Sequence, residues 1–144
     1  MKEIAGRYTP TVEGTYAGWH QACVESGEVC LQRCGDCGVY QHPPRELCPR
    51  CGSVTLGYEP IEGVGSCYSY TVTHSSRDAA WSAQTPFATV VVGLPQGVRC
   101  IAAWGAGDGQ VPVMGECVEL TVEVIDGRFA FLWGVPCKKQ TSRT

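Results

Sequence analysis

Arg33-Cys34-Gly35-Asp36-Cys37-Gly38 is answered by Leu47-Cys48-Pro49-Arg50-Cys51-Gly52. Each stretch is a Cys-x-x-Cys pair followed by glycine, and ten residues separate Cys37 from Cys48. Four thiolates at this spacing suit one tetrahedral zinc ion held between two short turns. The trailing glycines fit, because such turns need a residue that accepts positive φ so that backbone N–H groups can face the sulfurs. Pro49 stiffens the second turn by fixing φ. One such pair alone would also suit a redox dithiol. Two pairs point to a metal, and an all-sulfur set favours Zn2+, with iron as the alternative. Cys34, Cys37, Cys48 and Cys51 would fill every coordination position, so the zinc is expected to be structural and not catalytic.

The 144 residues amount to about one ordinary domain, and 44% hydrophobic content is enough for a buried core. Eighteen glycines and nine prolines suggest short strands and many turns. A net charge of −3 argues against broad phosphate-backbone binding, so no nucleic-acid partner is expected. The opening MKEIAGRYTP lacks the apolar core of a secretory signal. No run approaches the roughly 18 apolar residues of a membrane span. These readings predict a cytoplasmic protein without membrane contact. In a reducing compartment the remaining cysteines, Cys23, Cys30, Cys67, Cys100, Cys117 and Cys137, are expected to stay reduced and pack as small apolar residues.

Outward from the metal motif, the first dozen residues read as a loose arm. Tyr16, Trp19, His20, Cys23 and Val24 recur at helical spacing, which predicts a helix over 15–26 with Thr15 as N-cap and Gly27 ending it. Its face either covers the protein's own core or docks on a partner. Residues 28–33 read as a strand entering the first metal turn. His42, in the stiff loop that contains Pro43 and Pro44, reads as a solvated residue and not a ligand.

Beyond Gly52 the texture is strands and turns. A short segment over 54–61 links to a strand over 66–74, where alternation places Tyr68, Tyr70, Val72 and His74 on one face. Strands follow over 87–94, 98–104, 117–125 and 128–133, with Asp126-Gly127 as a hairpin turn. In the 117–125 strand, Glu119, Thr121 and Glu123 are expected to face water, and Val118, Leu120, Val122 and Val124 to face in. Five β segments without an intervening helical pattern predict a five-stranded OB-type barrel. The expected organisation is an arm and helix (1–27), a zinc ribbon (28–60), an OB barrel (61–136) and a disordered tail (137–144).

Little in the chain reads as a self-contained active site. Gly105-x-Gly107-x-Gly109 is followed by no helix, so it is a turn and not an anion cradle. No local signature joins a cysteine to a histidine as a nucleophilic pair. Trp81 stands out, because it lies with Arg77 on the longest internal loop, over 75–85. It either folds back over the barrel end or, with Arg77, contacts a ligand or partner.

Several stretches taken together resemble a known family. These are Leu31 through Gly38, Pro43-Pro44-Arg45, Leu47 through Ser53, Gly63-Val64-Gly65 before Tyr68-Ser69-Tyr70-Thr71-Val72-Thr73-His74, and Val91-Val92-Gly93-Leu94. In that order they resemble small proteins that join a rubredoxin-like zinc ribbon to an OB-fold and associate with acyl-CoA enzymes. The resemblance implies a mainly β chain with an N-terminal helix, and the four metal cysteines carry over directly. It further implies a non-catalytic subunit in a hetero-oligomer with a thiolase-family catalytic chain, helping to shape the acyl-CoA site. An aromatic β-oxoacyl-CoA such as benzoylsuccinyl-CoA would suit such a complex. Hydratase and aldolase complexes are the alternative, and a single-strand nucleic-acid module, with Tyr68, Tyr70 and Trp104 stacking, is a more distant one. For CoA contact the resemblance offers only a region, the loop holding Arg77 and Trp81.

Overall fold

The computed structural model describes residues 4–107 and 109–138. Helix α1 (Thr15–Ser26) is followed by β1 (Cys30–Cys34), β2 (Tyr40–Gln41) and β3 (Leu56–Pro60), which form a three-stranded antiparallel ribbon in the order β2-β1-β3. The helix ends as the sequence predicts, with Gly27 at φ 69° donating its N–H to the Cys23 carbonyl. Its start differs from expectation. Gly14 holds the cap position, Thr15 is the first helical residue, and no side chain caps the turn. Gly18, a poor helix former, has a packing reason. A Cβ there would stand 2.8 Å from the Tyr58 ring, whose hydroxyl donates to the Thr15 carbonyl.

Strands β4 (Val64–Thr73), β5 (Phe87–Gly93), β6 (Arg99–Trp104), β7 (Cys117–Ile125) and β8 (Phe129–Pro136) close a barrel in the order β4-β5-β6-β8-β7. All pairs are antiparallel except β6 with β8, which run parallel at Ala103↔Trp133 and Trp104↔Gly134. The first three residues of β4, Val64 to Ser66, pair with β7 and the strand from Ser66 to Thr73 pairs with β5, so this one strand closes the ring. The five-stranded order with one parallel pair is that of an OB-fold, as expected. The turn between β7 and β8 has Asp126 at φ 54° and Gly127 at φ 66°, the two positive values a tight two-residue hairpin needs.

Two face assignments need correction. The register of β4 shifts between Cys67 and Ser69, so Tyr68 is an extra residue in a bulge. Cys67 and Tyr70 therefore both reach the core, whereas Tyr68 is half exposed under the Arg99 guanidinium, 3.8 Å from its ring centre. On β7, Val118 and Leu120 are buried as expected, but Val124 near the hairpin tip is exposed. Glu123 does not simply face water, because the N-terminal arm crosses it: Arg7 donates to its Oε2 at 2.8 Å. Ile4 is buried too, so the arm is held at Ile4 and Arg7.

Ribbon and barrel share one core. Trp19 and Cys23 of α1, with Val29, Cys30 and Leu31 of the ribbon base, join Val90, Val92, Cys100, Val118 and Leu120 of the barrel. Burial there supplies roughly 1.5–3 kcal/mol for each large apolar side chain. The Trp19 indole N–H is satisfied at 2.8 Å by the Cys30 carbonyl, which fixes the helix against the ribbon. Of the predicted tail, 139–144 lies outside the described residues, and Cys137 and Lys138 lie just past β8.

Where β4 bends between its two partners, a Cβ on Gly65 would lie 2.2 Å from the Gly93 carbonyl oxygen. That neighbour is backbone and cannot rotate aside. Gly65→Ala is expected to cost about 2–3 kcal/mol, read as a lowered urea midpoint. Gly57→Ala, with open space at its Cβ, serves as the matched control.

Candidate functional site

The four motif cysteines converge, with all Sγ atoms within 4.8 Å of one another. Cys34 and Cys51 approach to 3.6 Å and Cys37 and Cys48 to 3.5 Å. A tetrahedral zinc with bonds of about 2.3 Å would require sulfur separations of about 3.8 Å, so the set fits such an ion. The local backbone is built for it. Gly38 at φ 76° and Gly52 at φ 75° donate back to the carbonyls of Cys34 and Cys48, each at 2.9 Å. The Cys37 N–H points at the Cys34 sulfur at 3.4 Å. Hydrogen bonds of this kind, that from Cys37 first, bring Cys34 down to about 6 without a metal. Cys51 rises instead to about 12: the Ser53 backbone hydrogen bond lowers it, but desolvation and the neighbouring thiols outweigh that bond. Outer contacts brace the turns. Ser53 donates to Asp36, and Arg33 donates to the Gly38 carbonyl and to Glu59, which also accepts from Tyr40.

The loop over 75–85 is more ordered than the sequence suggests. Asp78 caps a short helix α2 (Ala79–Ser82), accepting from the Ala80 and Trp81 N–H groups. This cap was readable as Asp before an alanine pair, but four residues carry no periodicity. Trp81 folds back over the barrel, 5.1 Å from the Phe87 ring and 6.1 Å from Phe131. Arg77 stands exposed two residues before α2, away from this cluster's ring contacts.

Sequence reasoning missed three groups, two at the ribbon–barrel junction and one on the arm that crosses the barrel. His42 is not solvated: it packs on Trp19 at 5.5 Å, and its Nδ1 is buried without a protein partner. His20 accepts the Ala130 N–H on Nδ1 at 3.0 Å and stacks on Phe129. Arg7, its side chain 7% exposed, lies 4.6 Å over Phe131 while paired to Glu123. Glu123 also accepts from the Trp133 indole. Nothing local in the sequence ties Arg7 or His20 to residues more than a hundred positions away. The cysteine reading also needs correction. Cys23, Cys30, Cys67 and Cys100 are buried free thiols as expected, but Cys117 and Cys137 form a disulfide. They oppose each other one step beyond the Val118↔Pro136 pair, where a ladder brings two side chains together.

Two outcomes follow. The zinc-loaded chain should contain about one zinc by elemental analysis, and Cys48→Ser should lose both metal and soluble ribbon. Structural zinc binding is worth about 10–16 kcal/mol, more than a typical domain's net stability. For pH, burial lowers His20 and His42 below 6.5, and protonating His20 Nδ1 would forfeit the Ala130 bond. Because the folded values are depressed, this stability is complete above 6.5 and declines as pH falls from there. Glu123, lowered first by the Arg7 hydrogen bond, adds a second decline below 4.5. Urea midpoints should fall between pH 7.5 and 5.5, and less steeply in His20→Gln.

Residues 24–56 match the family described as ChsH2, rubredoxin-like zinc ribbon domain. The chain is 32% identical over 101 residues (70% of it, 31% of the relative) to a probable enoyl-CoA hydratase alpha subunit of Thermomonospora curvata. It is 35% identical over 69 residues (46% of it, 48% of the relative) to a DUF35 domain-containing scaffold protein of Methanocaldococcus jannaschii. The chain thus spans about a third to a half of the length of these relatives. Among solved structures it resembles an Ltp2-ChsH2(DUF35) aldolase chain, with TM-score 0.75 and 26% identity over 89% of this chain and 98% of that one. A DUF35 protein of unknown function from Sulfolobus solfataricus, at 13% identity and TM-score 0.54 over 83% and 82% of the two chains, shares the fold. Residues 24–56 thus carry a ChsH2-type, rubredoxin-like zinc ribbon, and the chain as a whole resembles DUF35 proteins in sequence and fold.

Proposed function

We propose that this chain is a non-catalytic, zinc-built subunit of an acyl-CoA enzyme complex, with the catalytic residues on a larger partner. The observation that carries the reading is the likeness over 98% of a chain from an Ltp2-ChsH2(DUF35) aldolase, together with the relative named as a hydratase subunit. The chemistry of the chain supports it. Burial pushes the Cys23 and Cys100 thiols up to about 12, so neither offers a thiolate nucleophile. The four-sulfur site leaves no position for a substrate.

The partner we favour is a thiolase-family chain carrying out thiolytic C–C cleavage, with an aromatic β-oxoacyl-CoA such as benzoylsuccinyl-CoA as a fitting substrate. The ribbon and α1 would dock on that enzyme while the barrel helps to enclose the acyl-CoA. Tyr16 on α1 and Leu47 and Val54 beside the metal turns leave large apolar surface exposed, as a docking face would. Arg77 and Trp81 would then lie toward the CoA or the partner.

The test is gentle isolation of the tagged chain from its own cells, followed by size exclusion and identification of co-eluting proteins. A stoichiometric thiolase-family chain is expected. A hydratase or aldolase would keep the accessory role and change the reaction, and elution alone or with nucleic acid would overturn it. Leu47→Asp combined with Val54→Asp should abolish co-elution while zinc content stays unchanged.

A further inference from the structure

The ten cysteines divide three ways: four converge in the ribbon, four are buried thiols elsewhere, and Cys117 and Cys137 are joined. Cys117 is exposed and Cys137 half-buried, and Glu116, Pro136 and Lys138 beside them are exposed. The bond therefore lies where a thiol in solution can reach it, unlike the core thiols of Cys23, Cys67 and Cys100.

Its place in the fold matters. Cys117 opens β7, and three residue pairs join that strand to β4: Val64↔Glu119, Gly65↔Val118 and Ser66↔Cys117. Just beyond them, Cys67 donates to the Glu116 carbonyl and accepts from the Gly115 N–H, each at 2.9 Å. On the other side of Cys117 the β7–β8 ladder ends at Val118↔Pro136, and the Cys137 N–H donates to the Cys117 carbonyl at 3.2 Å. The disulfide thus ties the end of β8 to the strand that seals the barrel.

The charges around the bond are unequal. Glu62, Glu116, Glu119 and Lys138 line one groove with both cysteines. Glu116 adjoins Cys117 in the chain, whereas Lys138 adjoins Cys137. In thiol exchange one sulfur is attacked and the other leaves as a thiolate, more readily where a cation stands beside it. Cys137 is then the leaving sulfur and Cys117 the one attacked.

We infer that Cys117–Cys137 is a reversible redox site that clasps the end of β8 to the barrel seam, with uncharged or cationic thiols as its reductants. A first thiol, as thiolate, bonds to the Cys117 sulfur; the S–S bond breaks and Cys137 leaves as a thiolate that takes up a proton. A second thiol displaces Cys117 from the mixed disulfide. The two thiols supply the two electrons and leave as their own disulfide, and the protein keeps two thiols. Three carboxylates against one ammonium in the groove disfavour anionic thiols. Reduction releases Cys137 and Lys138 from β7 and leaves the three-pair seam without its cross-link.

The experiment uses the zinc-loaded full chain, with cysteamine and glutathione compared at equal thiolate concentration and zinc content followed throughout. Alkylation in denaturant should count eight thiols before reduction and ten after. At low salt cysteamine should reduce the native chain about fivefold faster than glutathione or more, and at 1 M salt the gap should narrow to about twofold. Acid-quenched early in the glutathione reaction, the mixed disulfide should map to Cys117. On reduction the 15N–1H resonances of 64–67, 115–120 and 134–138 should shift. Amide exchange at Val118 and Val135 should speed up by about tenfold or more, with zinc retained and ribbon resonances unmoved. Cystamine should restore the starting spectrum, and Cys117→Ser with Cys137→Ser should reproduce the reduced one. If that variant does not fold, the reduced wild-type spectrum decides. A bond that yields only after unfolding is a permanent staple and would overturn the inference. So would a glutathione adduct on Cys137, equal rates for the two thiols at low salt, or identical spectra before and after reduction. Ten free thiols in chain trapped directly from its own cells under every growth condition would overturn it as well.

Discussion

The architecture depends on one shared core. A ribbon whose second strand is two residues long buries too little surface to stand alone, and α1 has no core of its own. Trp19 resolves both deficits. It is buried between ribbon and barrel and bonded to the Cys30 carbonyl, and it lies edge-on against His20, which in turn is bonded to the β8 backbone. Metal binding secures the far end of the ribbon, and this core secures the near end. The orientation of the two modules is therefore set by packed aromatic and aliphatic side chains and not by a linker.

The legible parts of this fold were those with local causes. Metal ligands at fixed spacing, a glycine-terminated helix, alternating strands and an Asp-Gly hairpin are each written within a few residues. The barrel type followed from strand count and length. What stayed hidden depends on residues far apart in sequence. The bulge at Tyr68 arises because β4 must bend to serve two partners, and alternation within β4 carries no sign of it. Arg7 on Glu123 and His20 on Ala130 join positions more than a hundred apart, and the Cys117–Cys137 bond needed the β7–β8 register. Trp81 was singled out by its loop position, yet the rings it packs on come from β5 and β8.

The distribution of charge and thiols says how labour is divided. Four sulfurs converge on a metal-ready site in a ribbon braced by Arg33 and Glu59, and four other thiols lie buried. Buried polar atoms without a protein partner lie elsewhere: His42 Nδ1, Gln41 Oε1, Gln96 Oε1, the Trp104 indole nitrogen, and the Nε and Nη1 of Arg7, whose Nη2 is paired to Glu123. Two of them lie against aromatic rings, His42 on Trp19 and Arg7 over Phe131.

The single strand β4, shared between β5 and β7, also sets the order in which the molecule can assemble. The β1–β2 pairing joins residues close in sequence, and the β7–β8 hairpin closes over a two-residue turn. Sealing the barrel instead requires Val64 to find Glu119, with β5 and β6 lying between their strands in sequence. Loop-closure entropy makes such distant pairings slow, and they become rewarding only once nearer contacts exist. The β4–β7 pairing is the most distant in sequence within the barrel ring, and without it the edges of β4 and β7 would stand open to pairing with other chains.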